Sequence, residues 1–234
     1  MVIKMYFYKY EGIGNDFIIT EDKNIKDIVR LCDRHFGIGA DGVIVIENIS
    51  DIVRIRIYNA DGSEAKTCGN GLRCIGAYLK HKLNKNEFKI QTICDLYNVR
   101  VIDEEYEVTF PLVKDIKREN DYYVVNSGNN HIITINNKDF DKFIFDINKK
   151  YDANIENVII KDRNNIEIKV YERGVGFTLA CGSGAIATVS ALYKENLINN
   201  DVVCKMDGGY LKVVIKEDKA CLIGKANLVY KGEY

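Results

Sequence analysis

Short runs of alternating apolar and polar residues recur along the whole chain and predict many β-strands with few helices. In the first half the predicted strands are 6–10, 17–20, 43–46, 52–58, 88–93, 99–102 and 106–110. In the second half they are 122–125, 132–135, 157–161, 166–171, 202–206, 211–215, 220–223 and 228–230. Helical spacing of apolar residues predicts a helix over 24–36 and another over 139–149. The second half therefore repeats the plan of the first.

Two more helices are predicted directly after a shared motif, in which one cysteine precedes Gly-x-Gly. The motif is Cys68-Gly-Asn-Gly, which leads into an apolar segment over 72–83, and Cys181-Gly-Ser-Gly, which leads into one over 185–197. A chain that enters a helix through glycines exposes backbone N–H groups that have no partner within the helix. These groups and the helix dipole bind anions and lower the pKa of a cysteine placed there. Because the motif occurs once in each half, we predict a duplicated half-site whose two cysteines face each other.

Each half is rich in strands and has one principal helix of small residues, which is best buried inside a wrapped sheet. We therefore predict two similar α+β lobes with a cleft between them. The expected lobes are 1–112, which carries Cys68, and 113–222, which carries Cys181. Pro111, the only proline, marks the boundary, and the charged segment 114–121 is expected to be a linker or an exposed loop.

Composition narrows the class of protein. The chain has 234 residues, of which 47% are hydrophobic, and its net charge is −1, so it lacks the basic surface that nucleic-acid binding needs. The N-terminus is interrupted by lysines, unlike a signal peptide, and no apolar run approaches the roughly 18 residues of a membrane helix. We expect a soluble, cytoplasmic protein with neither a nucleic-acid nor a membrane partner.

The remaining cysteines do not suggest a disulfide framework or a metal site. The count of seven is odd, and no Cys-x-x-Cys spacing occurs. Outside the two motifs we expect small, buried or half-buried hydrophobic residues at Cys32, Cys74, Cys94, Cys204 and Cys221. The segment 37–42 matches the dinucleotide fingerprint Gly-x-Gly-x-x-Gly, but it follows a helix and opens a strand, which is the wrong order. We interpret it as a tight turn.

Two cysteines in mirrored settings suit the inversion of a carbon centre without a cofactor or a metal. One thiolate removes a proton from one face of the carbon while one thiol delivers a proton to the other. The α-proton of an amino acid is barely acidic, so the developing charge on its carboxylate needs preorganised donors. The backbone N–H groups of Gly69, Asn70, Gly182 and Ser183 are the candidate donors.

The chain resembles the diaminopimelate epimerases, which are cofactor-independent amino-acid epimerases. The matching blocks follow the family's order and span almost the whole chain: Gly12-Ile-Gly-Asn15-Asp-Phe, Gly37-Ile-Gly-Ala-Asp-Gly42, Asn59-Ala-Asp-Gly-Ser-Glu, Cys68-Gly-Asn-Gly-Leu-Arg-Cys, Gly128-Asn129-Asn-His131, Glu172-Arg173-Gly-Val-Gly, Ala180-Cys-Gly-Ser-Gly-Ala and Gly224-Lys-Ala with Gly232-Glu. The resemblance implies that Cys68 and Cys181 are the acid–base pair that interconverts L,L- and meso-diaminopimelate for lysine and peptidoglycan synthesis. It also implies an α+β fold of two pseudo-symmetric lobes, each a mostly antiparallel sheet or barrel around one central helix, with 223–234 completing the first lobe. A homodimer is implied as well.

The resemblance further implies the roles of the surrounding residues. His131 and Glu172 would adjust the protonation of the thiols. The other residues would bind the substrate: Asn15, Asn59, Gly69, Asn70, Asn129, Asn154, Glu172, Arg173, Gly182 and Ser183. The chain departs from the family pattern at Asn130 and Lys225, where proline is usual, which leaves room for a shifted substrate.

Three alternatives stay open. A related cofactor-independent racemase could act on histidine, proline or a diaminopimelate analogue such as lanthionine, although Asn70 argues against the proline racemases. A redox or metal-binding protein could use the same thiols, and a binding protein could hold an amino acid without turnover. Washing of solvent deuterium into the α-position separates the enzyme from a binding protein.

Overall fold

The computed structural model describes residues 4–234, which form eighteen strands and four α-helices. The helices are α1 (Ile28–Cys32), α2 (Gly69–Leu83), α3 (Phe140–Asn148) and α4 (Gly182–Lys194). The strands are β1 (Tyr6–Gly12), β2 (Asn15–Thr20), β3 (Gly42–Asn48), β4 (Ile52–Asn59), β5 (Glu64–Ala65), β6 (Glu87–Gln91), β7 (Leu96–Ile102), β8 (Glu105–Pro111), β9 (Ile116–Arg118), β10 (Tyr122–Asn126), β11 (Asn130–Ile135), β12 (Asn154–Ile160), β13 (Asn165–Glu172), β14 (Gly176–Thr178), β15 (Asp201–Met206), β16 (Gly209–Lys216), β17 (Lys219–Gly224) and β18 (Asn227–Glu233).

The chain divides into two compact units. The first contains the residues up to Val108 together with Gly224–Tyr234, and the second contains Thr109–Ile223. The domain boundaries expected from the sequence stay a prediction, since compactness does not test whether either unit folds alone. Within residues 4–234 no helix combines the length and the apolar composition needed to cross a membrane.

The two units share one pairing scheme. In the first unit, β1 and β2 are antiparallel, β2 and β3 parallel, β3 and β4 antiparallel, and β4 pairs with β5 antiparallel and with β6 in parallel. In the second unit, β10, β11, β12, β13, β14 and β15 repeat these six strands with the same directions. Each parallel step crosses over through a helix, as parallel neighbours require. The predicted α+β fold of two similar, mostly antiparallel lobes is confirmed.

One edge strand in each unit comes from outside the sequence of its own repeat. The last strand, β18, pairs antiparallel with β1 of the first unit, and β9, which follows the first repeat, pairs antiparallel with β10 of the second. The free edges of β1 and β10 are thereby covered, so neither strand presents an unpaired row of backbone groups.

A central helix fills the core of each unit. Every residue from Asn70 to Leu79 of α2 is buried, and α4 is buried from Gly184 to Leu192. A helix that is buried all round must sit inside its sheet, and α2 packs on β1, β2, β6, β7 and β18 while α4 packs on β10, β11, β12 and β16. Small residues allow this close approach: a methyl group at Gly76 would lie 2.7 Å from Cγ1 of Val99.

The first helix is much shorter than the predicted 24–36. Helix α1 begins after Asp27, whose side chain caps Arg30 N, and ends before Asp33, whose carboxylate accepts from the backbone N–H groups of His35 and Phe36. Both aspartates offer local hydrogen bonds that compete with helical ones. The apolar spacing alone could not show where these caps fall.

Helix α4 is displaced from the predicted 185–197. It begins at Gly182, because the cysteine before it is the N-cap, and it ends at Lys194. The backbone of Asn196 is left-handed at φ 57°, and Leu197 N donates to Leu192 O at 3.0 Å, which closes the helix.

Two other expectations are wrong. The charged segment 114–121 contains the strand β9, because its pairing with β10 supplies backbone hydrogen bonds that the side chains do not reveal. Cys94 is exposed, on the bend between β6 and β7 where its N–H donates to Thr92 Oγ1, while Cys32, Cys74, Cys204 and Cys221 are buried as expected.

Candidate active site

The two motif cysteines have the same local geometry. Cys68 is the N-cap of α2, with φ −150° and ψ 114°, and its Sγ accepts from Gly71 N at 3.4 Å. Cys181 is the N-cap of α4, with φ −132° and ψ 110°, and its Sγ accepts from Gly184 N at 3.3 Å. Each sulfur therefore caps a helix N-terminus, where the partial positive charge favours an anion.

The first half-site is built around Asn15. Its Oδ1 lies 3.9 Å from Cys68 Sγ and accepts from Asn70 Nδ2 at 3.1 Å. Its Nδ2 donates to Asp41 Oδ2 at 2.8 Å. The structure thus brings together Cys68, Asn70 and Asn15, with Gly69 as the first residue of α2 beside them.

Asp41 belongs to a charge network that the sequence reasoning missed. Arg34 donates to both oxygens of Asp16 and to Asp41 Oδ1, and Lys9, almost fully buried, lies 2.8 Å from Asp16 Oδ2. Burial by itself would raise the pKa of Asp16, but the hydrogen bonds from Arg34 and Lys9 outweigh it and hold that pKa well below its usual value. The segment 37–42 is a turn into β3, as predicted, and its aspartate also anchors Asn15.

Arg73 places a buried guanidinium on α2 close to this half-site. It is fully buried, donates through Nη2 to Asn70 Oδ1 at 2.9 Å, and packs so closely under Gly12 that a methyl group there would lie 3.2 Å from Nη2. Burial lowers its pKa, and the nearby Cys74 and Cys68 oppose that effect. The arginine stands in the predicted motif, but nothing in its spacing signalled a buried charge.

The second half-site surrounds a more enclosed thiol. Cys181 is 5% exposed, and its Sγ lies 3.4 Å from Ser183 Oγ. Burial, then Glu172, then Glu156 raise the pKa of Cys181 well above its ordinary value, and the hydrogen bonds from Ser183 and Gly184 only partly oppose them. The expected lowering of this pKa by the helix N-terminus is therefore wrong for Cys181, because two carboxylates and the loss of solvent outweigh the dipole.

His131 is paired with a residue that the sequence reasoning did not single out. Its Nδ1 lies 2.7 Å from Glu156 Oε1, and both side chains are completely buried. Within residues 4–234, neither His131 Nε2 nor Glu156 Oε2 has a hydrogen-bond partner. No signal in the sequence pointed to Glu156, because the strand predicted over 157–161 begins after it, whereas β12 begins at Asn154.

The residues expected to hold the far end of the substrate lie partly together. Arg173 N donates to Asn154 Oδ1 at 3.0 Å, and Arg173 Nη1 lies 2.7 Å from Asp152 Oδ2 at the surface. Glu172 Oε1 accepts from Thr178 Oγ1 at 2.7 Å.

The two remaining predicted binding residues lie at exposed positions. Asn59 ends β4 in the first unit and donates through Nδ2 to Ser63 Oγ at 2.9 Å. Asn129 lies in the second unit, in the turn between β10 and β11, where its carbonyl accepts from Ser127 N at 3.0 Å.

Comparison with known proteins adds the family. The sequence profile of the family described as diaminopimelate epimerase matches twice, over residues 7–114 and 112–229. A diaminopimelate epimerase of Halothermothrix orenii is 33% identical, with 99% of this chain and 98% of that protein covered. One from Methanocaldococcus jannaschii is also 33% identical, with 97% of each chain covered.

Solved structures share the fold at much lower identity. A phenazine biosynthesis protein of the PhzF family from Enterococcus faecalis has a TM-score of 0.74 at 14% identity, with 99% of each chain covered. A hydroxyproline epimerase from Agrobacterium vitis has a TM-score of 0.76 at 10% identity, with 99% of this chain and 91% of that one covered. The fold is thus the one that PhzF-like proteins and amino-acid epimerases share. The chain belongs to the diaminopimelate epimerase family, and it is an isomerase with epimerase activity.

Proposed function

We propose that the protein interconverts L,L- and meso-diaminopimelate by two-base proton transfer between Cys68 and Cys181. The observation that carries this proposal is the repeated geometry of the two cysteines. Each is the N-cap of the central helix of its unit, and each sulfur accepts a hydrogen bond from the backbone N–H of the residue three positions later. Identity of about a third to curated diaminopimelate epimerases over nearly the whole chain supports the substrate class.

In the proposed step one sulfur is a thiolate and the other a thiol. The thiolate takes the α-proton from one face of the carbon, and the thiol gives its proton to the opposite face. The product has the inverted centre, and the two sulfurs have exchanged protonation states. No electron is gained or lost, so the step is a pure acid–base reaction.

The helix N-termini are proposed to stabilise the carbanion formed in between. The negative charge that develops on the α-carboxylate would be met by the backbone N–H groups of Gly69, Asn70, Gly182 and Ser183. Removal of one such donor typically costs about 3–4 kcal/mol of barrier. Asn15 would hold the same carboxylate, since its side chain already joins Cys68 and Asn70.

Recognition of the second amino-acid head is proposed to involve Arg173 with Asn154. A guanidinium binds a carboxylate through two parallel hydrogen bonds, and Asn154 fixes the backbone of Arg173. Asn59 and Asn129 would supply amide groups that both donate and accept. A site built for two zwitterionic heads rejects simple amino acids by leaving buried polar groups unpaired.

The setting follows from this activity. We propose that the enzyme works without a cofactor, as a cytoplasmic homodimer, and that its product feeds lysine and peptidoglycan synthesis. His131 and Glu172 are proposed to adjust the protonation of the thiols, and Glu172 already raises the pKa of Cys181.

A related racemase is the second candidate. The fold is shared with a hydroxyproline epimerase, and Asn130 and Lys225 replace the prolines usual in the family, so a one-headed or shifted substrate is a defined alternative. Conversion of histidine or proline, with no conversion of diaminopimelate, would establish this candidate in place of the first.

The test uses the reduced protein in heavy water with L,L-diaminopimelate, lanthionine, histidine or proline, each alone. We expect diaminopimelate to be converted to the other stereoisomer with one deuterium at the inverted α-carbon. Cys68→Ala and Cys181→Ala should each abolish conversion, while Cys94→Ala, a change at an exposed cysteine, should leave it intact. Full turnover by either motif variant would contradict the two-base mechanism.

A further inference from the structure

The duplicated geometry allows the two half-sites to be compared position by position. In the first unit, a methyl group at Gly71 would contact Ile44 Cδ1 at 3.1 Å, Cys68 Cβ at 3.4 Å and Phe17 Cζ at 3.6 Å. In the second unit, a methyl group at Gly184 would overlap Glu156 Oε1 and would lie 3.3 Å from Cys181 Cβ. The first turn of α2 therefore rests on hydrocarbon, and the first turn of α4 rests on a carboxylate.

Strand register shows that these supports occupy equivalent positions. Phe17 opens the parallel β2–β3 pairing and His131 opens the parallel β11–β12 pairing. Two residues further on, Ile19 pairs with Ile44 and Ile133 pairs with Glu156. The pair Phe17 and Ile44 in one unit is thus replaced by His131 and Glu156 in the other.

The fold does not need the His131–Glu156 pair for packing. A buried pair of polar groups gains little or no stability over well-packed apolar residues, since desolvation opposes the attraction. The first unit shows that this backbone accepts phenylalanine and isoleucine at the same two positions. Two buried atoms of the pair, His131 Nε2 and Glu156 Oε2, also lack partners among the described residues, which adds a further cost. Stability alone therefore does not account for a buried polar pair beside Cys181.

The electrostatic consequence is specific to Cys181. The N-terminus of α4 carries partial positive charge that stabilises one anion nearby, and the Glu156 carboxylate already lies against it. The groups that act on the thiol are Glu156 on β12, Glu172 on β13, and the Ser183 hydroxyl and Gly184 N–H of α4. His131 on β11 is bonded to Glu156. Both carboxylates oppose a second negative charge at the sulfur, whereas Ser183 favours it.

We propose that Glu156 is a positioning residue of the second half-site: its carboxylate accepts from His131 Nδ1, lies against the first turn of α4, and keeps the proton on the Cys181 thiol in the resting enzyme. His131 donates through Nδ1, because a ring N–H at the unpartnered Nε2 would be a buried orphan donor, which proteins rarely tolerate. The first half-site carries the apolar alternative, so the two half-sites are unequal before substrate binds. The catalytic meaning of this inequality rests on the function proposed above, but the inequality itself does not.

The direct test follows the protonation of the thiols in protein labelled with ¹³C at cysteine Cβ, whose chemical shift reports thiol or thiolate. We expect Glu156→Gln to lower the pKa of Cys181 by roughly one to three pH units, the effect of a like charge at close range. Glu167→Gln removes a carboxylate from β13 at a partly exposed site bonded by two lysines, and it should leave Cys181 unchanged. Cys204, fully buried in the same unit, is the internal reference.

Activity supplies a second readout. In Glu156→Gln the limb of the pH–kcat/KM profile that depends on the Cys181 proton, which reports on the free enzyme, should move to lower pH by the same amount. If Glu156→Gln does not fold, Gly184→Ala displaces the same carboxylate and should also lower the pKa of Cys181. An unchanged Cys181 titration in a folded variant would overturn the inference. This titration decides the matter even if diaminopimelate is not the substrate, since it needs no turnover.

Discussion

The variants Gly184→Ala and Gly71→Ala form a matched pair that tests which side chains pack against the first turn of each central helix. Both glycines are the third residue of a helix, and both donate their N–H to the capping cysteine. Neither has a positive φ among the described residues, so alanine is acceptable to the backbone at both sites. The difference between the variants therefore comes from the atoms that the new methyl group meets.

The magnitudes follow from these contacts. At Gly71 the methyl group meets the flexible end of Ile44 at 3.1 Å, which can yield by a few tenths of an ångström. Alanine gains about 1 kcal/mol in helix propensity over glycine, and this gain offsets the small cost of moving Ile44. Stability is therefore nearly unchanged. At Gly184 the methyl group overlaps Glu156 Oε1, so the carboxylate must move away from His131. Loss of a hydrogen bond to a charged group costs about 1.5–3 kcal/mol and overpacking costs about 1–3 kcal/mol. After the same helix-propensity gain of about 1 kcal/mol, we expect a net loss of about 1.5–5 kcal/mol.

Thermal unfolding measures this difference. For a protein of this size each kcal/mol lowers Tm by about 2–4 °C, so Gly184→Ala should unfold several degrees below Gly71→Ala. Tyrosine fluorescence is a suitable signal, since the chain has 15 tyrosines and no tryptophan. Equal Tm values for the two variants would refute the claim that Glu156 packs against the first turn of α4.

Three further predictions concern the first unit. Asp41→Ala should release Asn15 and reduce kcat/KM roughly 10–100-fold, since misplacement of a binding group by about 1 Å costs on that order, with little change in the urea midpoint. Gly76→Ala should lower the free energy of unfolding by about 1–3 kcal/mol in urea titrations, because its methyl group would lie 2.7 Å from Val99 Cγ1. The lowered pKa of Asp16 should contribute stability that is fully present above its ordinary value of 3.8 and is lost as the pH falls below it. Asp16→Asn should therefore flatten the acid limb of the urea midpoint against pH.

The fold was accessible from the sequence because its signals are local and occur twice. Alternating apolar residues locate most of the strands, and the Cys-Gly-x-Gly motifs locate the starts of the two central helices. The pattern missed β5, β9 and β14, of two or three residues each, because such short strands exist only through their partners. It overextended α1, because the caps at its ends depend on side-chain hydrogen bonds that apolar spacing does not encode.

In the candidate site, too, local signals could be predicted from the sequence and features of the folded chain could not. The cysteines and the polar residues beside them lie within recognisable motifs, so Asn15, Asn70 and Ser183 could be named in advance. Glu156 could not, because the strand predicted over 157–161 begins after it, so the pattern did not show that its side chain is buried. The direction of the Cys181 pKa was missed for the same reason: the helix dipole is visible in the sequence, while burial and two nearby carboxylates are properties of the folded unit.

Unequal half-sites should affect the two reaction directions differently, within the limit set by the equilibrium constant. If Glu156 keeps the proton on Cys181, the enzyme form that carries its thiolate at Cys181 is disfavoured, and each pH unit that Glu156 adds to the pKa of Cys181 is worth about 1.4 kcal/mol. The reaction direction that starts from this form must first overcome that cost. The ratio of kcat/KM in the two directions equals the equilibrium constant of the reaction, so no variant can change it. Glu156→Gln should therefore redistribute kcat and KM between the two directions while their combined ratio stays fixed. A variant that slowed both directions equally, with the Cys181 titration unmoved, would show that Glu156 only supports the fold.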